Sequence, residues 1–477
     1  MAGQWQTLTK QPGFAAGLML LLTDGTVMCQ EDGTPAWWRL VPDATGQYLN
    51  GTWLRMADAP TAPLWCASAV LRDGRVFVAG GEYSAGAETD LATAAIYDPV
   101  VDNWTALPAP ITWTSLGDAP CCGLQDGRVL VGSIDSPHCV IFDPQTRAWI
   151  GAADKNNSSS SEETWTLLPD GSVLTANCVG HPQTQRYLPD KDAWIPCGNT
   201  VSDLVEDASS EIGPALLLPD GRCFAIGATG KTGFYKQPMQ IDQPGTWSDG
   251  PELPKQGGLQ LGAKDAPACL LPNGKVLLAL GPVNGKKDDY LKPTFFYEFD
   301  PSAAAGNAFT PISDPGDTKI EAFNWRMLMA PTGEVLISNR FGQIKVYRPD
   351  GSGVAAGKPA ITGYPTAKRD DGTYYAAVWR GATFTLKGTL FNGLSQAVSY
   401  GDDATMATNY PIVSLRRKGS SAVSYCRTFG HSWMGVATGD EIISTNFTVP
   451  WDLGAGTYEL AVVVNGINSD SMDVEVN

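Results

Sequence analysis

One short pattern recurs seven times, and it constrains this chain more than anything else in it. Each copy is an apolar run, a polar residue followed by Gly, and a second apolar run. Leu21-Leu22-Thr23-Asp24-Gly25-Thr26-Val27 and Val70-Leu71-Arg72-Asp73-Gly74-Arg75-Val76 are the first two. The residue before the glycine is Asp24, Asp73, Asp126, Asp170, Asp220, Asn273 and Thr332, spaced 44 to 59 residues apart. Asp-Gly or Asn-Gly between apolar runs is the strongest short hairpin signal. A type I′ turn, with positive φ at both central residues, is the expected loop. With 52 Gly and 34 Pro spread over 477 residues, many short strands are expected and long helices are not.

A second signature accompanies the first. An aromatic strand ends at a turn and a Trp follows, as in Tyr97-Asp98-Pro99 with Trp104, Phe142-Asp143-Pro144 with Trp149, and Tyr187-Leu188-Pro189-Asp190 with Trp194. A period near fifty residues fits a four-stranded propeller blade of kelch type. Residues 1–352 are therefore read as a seven-bladed kelch-type β-propeller. The seventh copy, Val346-Tyr347-Arg348-Pro349-Asp350, has no Trp after it, whereas Gln4-Trp5-Gln6-Thr7-Leu8 resembles Asn103-Trp104-Thr105-Ala106-Leu107. The segment 3–9 is expected to supply the outer strand of blade seven and close the ring.

The repeat stops near Asp350, and Gly351–Gly357 reads as a linker. Alternating segments such as Thr383–Leu390, Ile412–Arg417, Tyr458–Val464 and Met472–Val476 follow. Residues 359–477 are read as an immunoglobulin-like β-sandwich, so the whole chain is expected to be all-β.

Charge narrows the partners. With 33 Lys and Arg against 50 Asp and Glu, the net charge is −17, which repels phosphate backbones and excludes nucleic acid. Membrane insertion is not expected, because no apolar stretch reaches the roughly 18 residues a span needs. The N-terminus carries no secretory signal, so a cytoplasmic location is the default expectation. The ten cysteines show neither zinc spacing nor a CxxC pair and read as reduced core thiols.

The segments Ser399-Tyr400-Gly401-Asp402-Asp403-Ala404-Thr405-Met406-Ala407-Thr408-Asn409-Tyr410-Pro411 and Tyr425-Cys426-Arg427-Thr428-Phe429-Gly430-His431-Ser432 make the chain resemble galactose oxidase and its bacterial relatives. In that group a kelch propeller joins an early-set, immunoglobulin-like domain. Members with oxidase activity hold one copper with a Cys-linked Tyr, a second Tyr and two His. The resemblance puts the Cys at Ala16, the linked Tyr at Trp65, the axial Tyr and one His at Phe323 and Asn324, and the second His near Cys426, five residues from His431. The chain has three histidines, His138, His181 and His431. Copper favours several imidazoles, so it is not expected, and no cofactor is required by any motif.

The same counting places Asp118, Glu162 with Glu163, Glu211 and Asp265 at the propeller axis, with Glu206, Asp207 and Glu321 slightly upstream. Converging carboxylates repel unless a cation or protons compensate. A divalent cation such as Ca²⁺ at Asp118, Glu162 and Asp265 is one reading. Carboxylates facing a water-filled channel or bonding backbone amides are the other. Trp37, Trp38, Trp65, Trp113 and Trp325 depart from the once-per-blade register and are candidates for stacking on sugar rings. Trp65, Asp118, Glu162, Glu163, Glu211, Asp265, Asn324, Trp325 and His431 form the candidate ligand-binding set. No nucleotide or hydrolase motif occurs. The expectation is a non-catalytic recognition or scaffold protein that binds a glycan or a protein. A divergent copper-radical oxidase, or a hydrolase or lyase using the acidic mouth, are the alternatives.

Overall fold

The computed structural model describes residues 3–156, 159–206, 208–287, 289–395, 405–406 and 408–477. At every repeat the glycine adopts a left-handed backbone, from φ 77° at Gly25 to φ 89° at Gly127. The residue before it does not. The type I′ expectation is thus corrected to a three-residue loop, a type I turn followed by a left-handed glycine. In the first copy Gly25 N–H donates to Leu22 at 3.0 Å and Leu22 N–H to Thr26 at 2.8 Å. The carboxylate of Asp24 then accepts from the Thr26 N–H at 3.0 Å, and Asn273 does the same for Lys275 at 3.0 Å. Only the glycine needs positive φ, so Thr332 is tolerated in the seventh copy.

Among the described residues these hairpins build seven sheets with antiparallel four-strand cores, five of them four-stranded throughout; the sixth also carries Lys255–Gln256 and Leu259–Gly262, and the seventh Thr405–Met406. The first runs Ala16–Leu21, Val27–Glu31, Trp37–Val41, Thr52–Arg55. The following five begin with Ala67–Val70, Cys121–Gly123, Thr166–Leu167, Ala215–Leu217 and Ala268–Leu270. The seventh orders Arg326–Met329, Val335–Ser338, Ile344–Arg348 and then Gln4–Thr7, with Trp5 opposite Tyr347. In the first sheet Ala16–Leu21 is buried along its whole length because neighbouring sheets cover both faces, whereas the last strand, Thr52–Arg55, is largely exposed. The buried apolar clusters pass from sheet to sheet. One of them joins Met19 and Val27 of the first sheet to Leu328, Leu336 and Val346 of the seventh, so the ring is closed by packing as well as by pairing.

The recurrent tryptophans stitch the ring. Each indole N–H on a last strand reaches the preceding sheet or the segment leaving it: Trp53 to Lys10, Trp104 to Ala57, Trp149 to Pro108, Trp194 to Ala153 and Trp247 to Thr184, at 2.9–3.1 Å. All ten cysteines are buried as free thiols.

The C-terminal strands form a further sheet system around a core of Val413, Leu415, Phe447, Leu460 and Val462. They rest on the Asp-Gly turns. Thr428 N–H donates to Thr23 at 3.0 Å, Gly430 N–H to Arg72 at 2.8 Å and Met434 N–H to Gln125 at 2.8 Å. Thr405–Met406 pairs in parallel with Met327 and Leu328, on the first strand of the seventh sheet. Among the described residues, no helix is long and apolar enough to cross a membrane.

Candidate functional site

The Asp-Gly turns occupy one end of the first strands, so the segments entering those strands meet at the other end, around the axis. Several of these segments bend sharply through left-handed residues: Trp65 at φ 53°, Gly117 at 67°, Ser161 at 46°, Ser210 at 60° and Asp265 at 46°. Non-glycine residues in this region store strain, which clusters at functional sites. The bends deliver Trp65, Asp118, Glu162, Glu211 and Asp265 from five successive sheets.

Carboxylate oxygens of Glu162, Glu211 and Asp265 lie within 4.8 Å of one another. Glu211 is 6% and Asp265 2% exposed, while Glu162 is half-buried. At an effective dielectric near 20, two charges at 4.8 Å repel by about 3 kcal/mol. Burial, then the charges of Glu211, Asp265 and Asp118, push the Glu162 carboxyl well above its ordinary value. Burial also raises Asp265, against bonds that favour its charged form. Tyr290 supplies one of these: its hydroxyl donates to Asp265 Oδ2 at 2.5 Å and to Glu211 Oε1 at 3.1 Å. Lys264 lies over the Tyr290 ring at 4.3 Å and pairs with Glu206 at 3.4 Å. Burial and the neighbouring Asp90 and Glu88 push Glu82 up to about 7.

An aromatic wall adjoins the carboxylates. The Phe323 ring lies 4.7 Å from Tyr290 and 6.2 Å from Trp65, and Trp65 meets Tyr83 edge-on at 5.2 Å. The Arg340 guanidinium covers Trp65 at 4.9 Å. It is held by two 2.9 Å bonds to Asp32 and donates to Asn324 Oδ1 at 3.1 Å. A shallow cleft opens beside Tyr290, lined in part by Lys264, Asn284 and Asp289.

Several candidate residues are corrected. Glu163 is fully buried and ion-paired with Lys155, and it accepts from Thr175 at 3.0 Å. As the chain neighbour of Glu162, it points the other way. Trp325 is 1% exposed and donates to Thr294 at 3.0 Å, so it packs between sheets and cannot stack on a ligand. Trp37 is likewise fully buried. His431 lies at the opposite end of the molecule, with its N–H 3.3 Å from the Arg72 carbonyl and Nδ1 2.9 Å from Thr445. Burial holds its imidazole down at about 3. Asp118 is 4% exposed and close enough to raise Glu162, but the compact trio contains Glu211 in its place. Glu206 caps its own turn through Ala208 and Ser209, and Glu321 pairs with Lys292 at 3.0 Å. Asp207 and most of the Ser399–Pro411 segment lie outside the described residues.

The positions matched to the copper ligands do not fit that metal. Ala16 is buried within a strand, Trp65 and Phe323 present no oxygen, the Asn324 carbonyl is taken by Arg340, and Cys426 sits in the core of the C-terminal strands. Sequence reasoning missed Tyr290, Arg340, Asp32, Glu82 and Tyr83. Tyr290 sits in an insertion, Asn284–Pro293, whose one signal is the 59-residue spacing from Asn273 to Thr332.

No protein-family model matches the chain. Over 124 residues it is 29% identical to the kelch-like protein terF of Aspergillus terreus, and the match spans 26% of each chain, about a quarter of that relative's length. A fungal alcohol oxidase of the AA5 family, solved in complex with copper, superposes with a TM-score of 0.54 at 16% identity, covering 100% of this chain and 99% of the other. A streptogramin B lyase gives 0.51 at 11% identity over 73% of this chain and 99% of the lyase. The fold is that of a galactose oxidase-like kelch β-propeller protein.

Proposed function

We propose that this protein is a recognition module that takes a carbohydrate into the propeller mouth, without redox catalysis. The observation that carries this reading is the juxtaposition of partly exposed rings, Trp65, Tyr83 and Phe323, with fixed polar groups. Sugar rings offer C–H faces to aromatic planes and hydroxyl donors to carboxylates, and sites of this kind combine an apolar wall with a few oriented polar groups. Glu162, the partly exposed member of the carboxyl trio, supplies a polar contact, and the Arg340–Asp32–Asn324 chain supplies a rigid polar rim.

The experiment is a glycan array followed by calorimetry on the best ligand, with Trp65→Ala and Asn324→Ala beside the native chain. Trp65→Ala is expected to weaken binding by about tenfold, or roughly 1.4 kcal/mol. A parallel assay supplies copper and measures peroxide released from alcohols and aldehydes. An empty array together with turnover in that assay would overturn the reading in favour of an oxidase.

A further inference from the structure

We propose that Glu162, Glu211 and Asp265 hold a single hard divalent cation of the Ca²⁺ class at the axial mouth. This goes beyond the carbohydrate reading and stands without it.

Three carboxylates, from the fourth, fifth and sixth sheets, converge with oxygens within 4.8 Å of one another. Oxygens bound to one Ca²⁺ at 2.3–2.6 Å lie up to about 5 Å apart, so the trio fits one coordination shell. The donors are all oxygen, which selects Ca²⁺, Mg²⁺ or Mn²⁺ over copper and zinc. A second observation points into the same space. Asp265 is 2% exposed, and its buried Oδ1 accepts from no N–H or hydroxyl donor among the described residues; the polar groups facing it are the carboxyls of Glu162 and Glu211. A buried acceptor left in this state is costly unless something fills it. Its other oxygen takes the Tyr290 hydroxyl, which also reaches Glu211. Tyr290 thus orients two of the three carboxylates from outside, as outer-shell donors do around bound metals. Lys264, the cation that stacks on Tyr290, is paired with Glu206 at 3.4 Å.

The test uses the full chain stripped with EDTA. Tb³⁺ emission sensitised through Tyr290 reports occupancy, competition with Ca²⁺ and Mg²⁺ reports selectivity, and calorimetry gives stoichiometry. One site is expected, filled below about 1 mM Ca²⁺. Saturating Ca²⁺ should raise the melting temperature by several degrees. Asp265→Asn and Glu162→Gln should each weaken the metal at least tenfold, and Tyr290→Phe should dim the terbium signal more than it weakens Ca²⁺. Folding of each variant is checked by circular dichroism and apo melting temperature. No response to Ca²⁺, Mg²⁺ or Mn²⁺ would overturn the proposal, as would undiminished binding in both carboxamide variants or an adventitious surface site unaffected by either. Sugar binding indifferent to EDTA, with no cation response, removes the cation alone. A cation response with an empty glycan array removes the carbohydrate reading alone.

Discussion

The indole N–H of Trp5 donates to the carbonyl of Ser313 at 2.7 Å, across 308 residues of chain. It repeats, at the join between the two ends of the propeller, the bond that Trp104 makes to Ala57 and Trp194 makes to Ala153. The Trp5 ring also packs on Tyr347 at 4.7 Å and edge-on against Phe296 at 5.4 Å. Trp5→Ala is expected to cost about 1–3 kcal/mol, mainly from lost packing of a half-buried ring. Deleting residues 1–10 should lower the melting temperature further, because it removes a whole strand from the seventh sheet. A truncated chain that melts like the native one would contradict ring closure by this strand.

Lys155 and Glu163 form an ion pair in which both side chains are fully buried. Glu163→Gln leaves an ammonium without its counter-charge in the interior, and a loss of about 3–5 kcal/mol is expected in urea unfolding. The double variant Lys155→Met/Glu163→Leu removes both charges and should recover most of that loss. Equal destabilisation of single and double variants would show that packing, not charge, dominates there.

His431 links stability to pH. Its ordinary value is 6.5 in the unfolded chain, and burial holds it at about 3 in the folded one. Between these values the unfolded state binds the extra proton. The contribution is therefore complete above about pH 6.5 and is lost as pH falls toward 3, at about 1.4 kcal/mol per pH unit within the window. His431→Gln removes this titration. The difference between the native and variant unfolding free energies should shrink steadily from pH 7 to pH 4, and a constant difference would rule the linkage out.

Gly25 sits at φ 77°, where an added Cβ would stand 2.5 Å from the Tyr425 ring. Gly33 sits at φ 66° with open space around it. Gly33→Ala should therefore cost only the backbone strain, about 1 kcal/mol. Gly25→Ala should cost more and loosen the C-terminal strands from the Asp-Gly turns, seen as faster limited proteolysis between them. Equal effects of the two substitutions would mean that the Tyr425 contact is immaterial.

The two signatures divide by physical range. Asp24-Gly25 and its six counterparts are legible because a hairpin closes within five residues and needs one left-handed glycine. The type I′ loop was misjudged because Asp and Asn accept either backbone sign, and local chemistry does not choose between them. Trp104 and Trp149 are legible for the same reason of regular spacing. Trp325 falls off that register yet is more deeply buried than either, since the space between sheets is set by neighbours far away in sequence. Glu162 and Glu163 differ by one residue. The sharp bend at Ser161 sends one to the mouth and the other to Lys155, and a count of residues cannot tell which. Tyr290 and Arg340 arrive from loops with no repeated counterpart.

The sequence by itself determined the short strands, the hairpins that join them and the acidic, cysteine-reduced character of the chain, because these follow from backbone preferences and from composition. Only the tertiary structure decided that Glu162, Glu211 and Asp265 share one small volume under the Tyr290 hydroxyl, and that His431 lies at the far end. Such meetings depend on the closure of a ring of sheets, where a shift of one residue or a few degrees per sheet redirects every side chain at the axis.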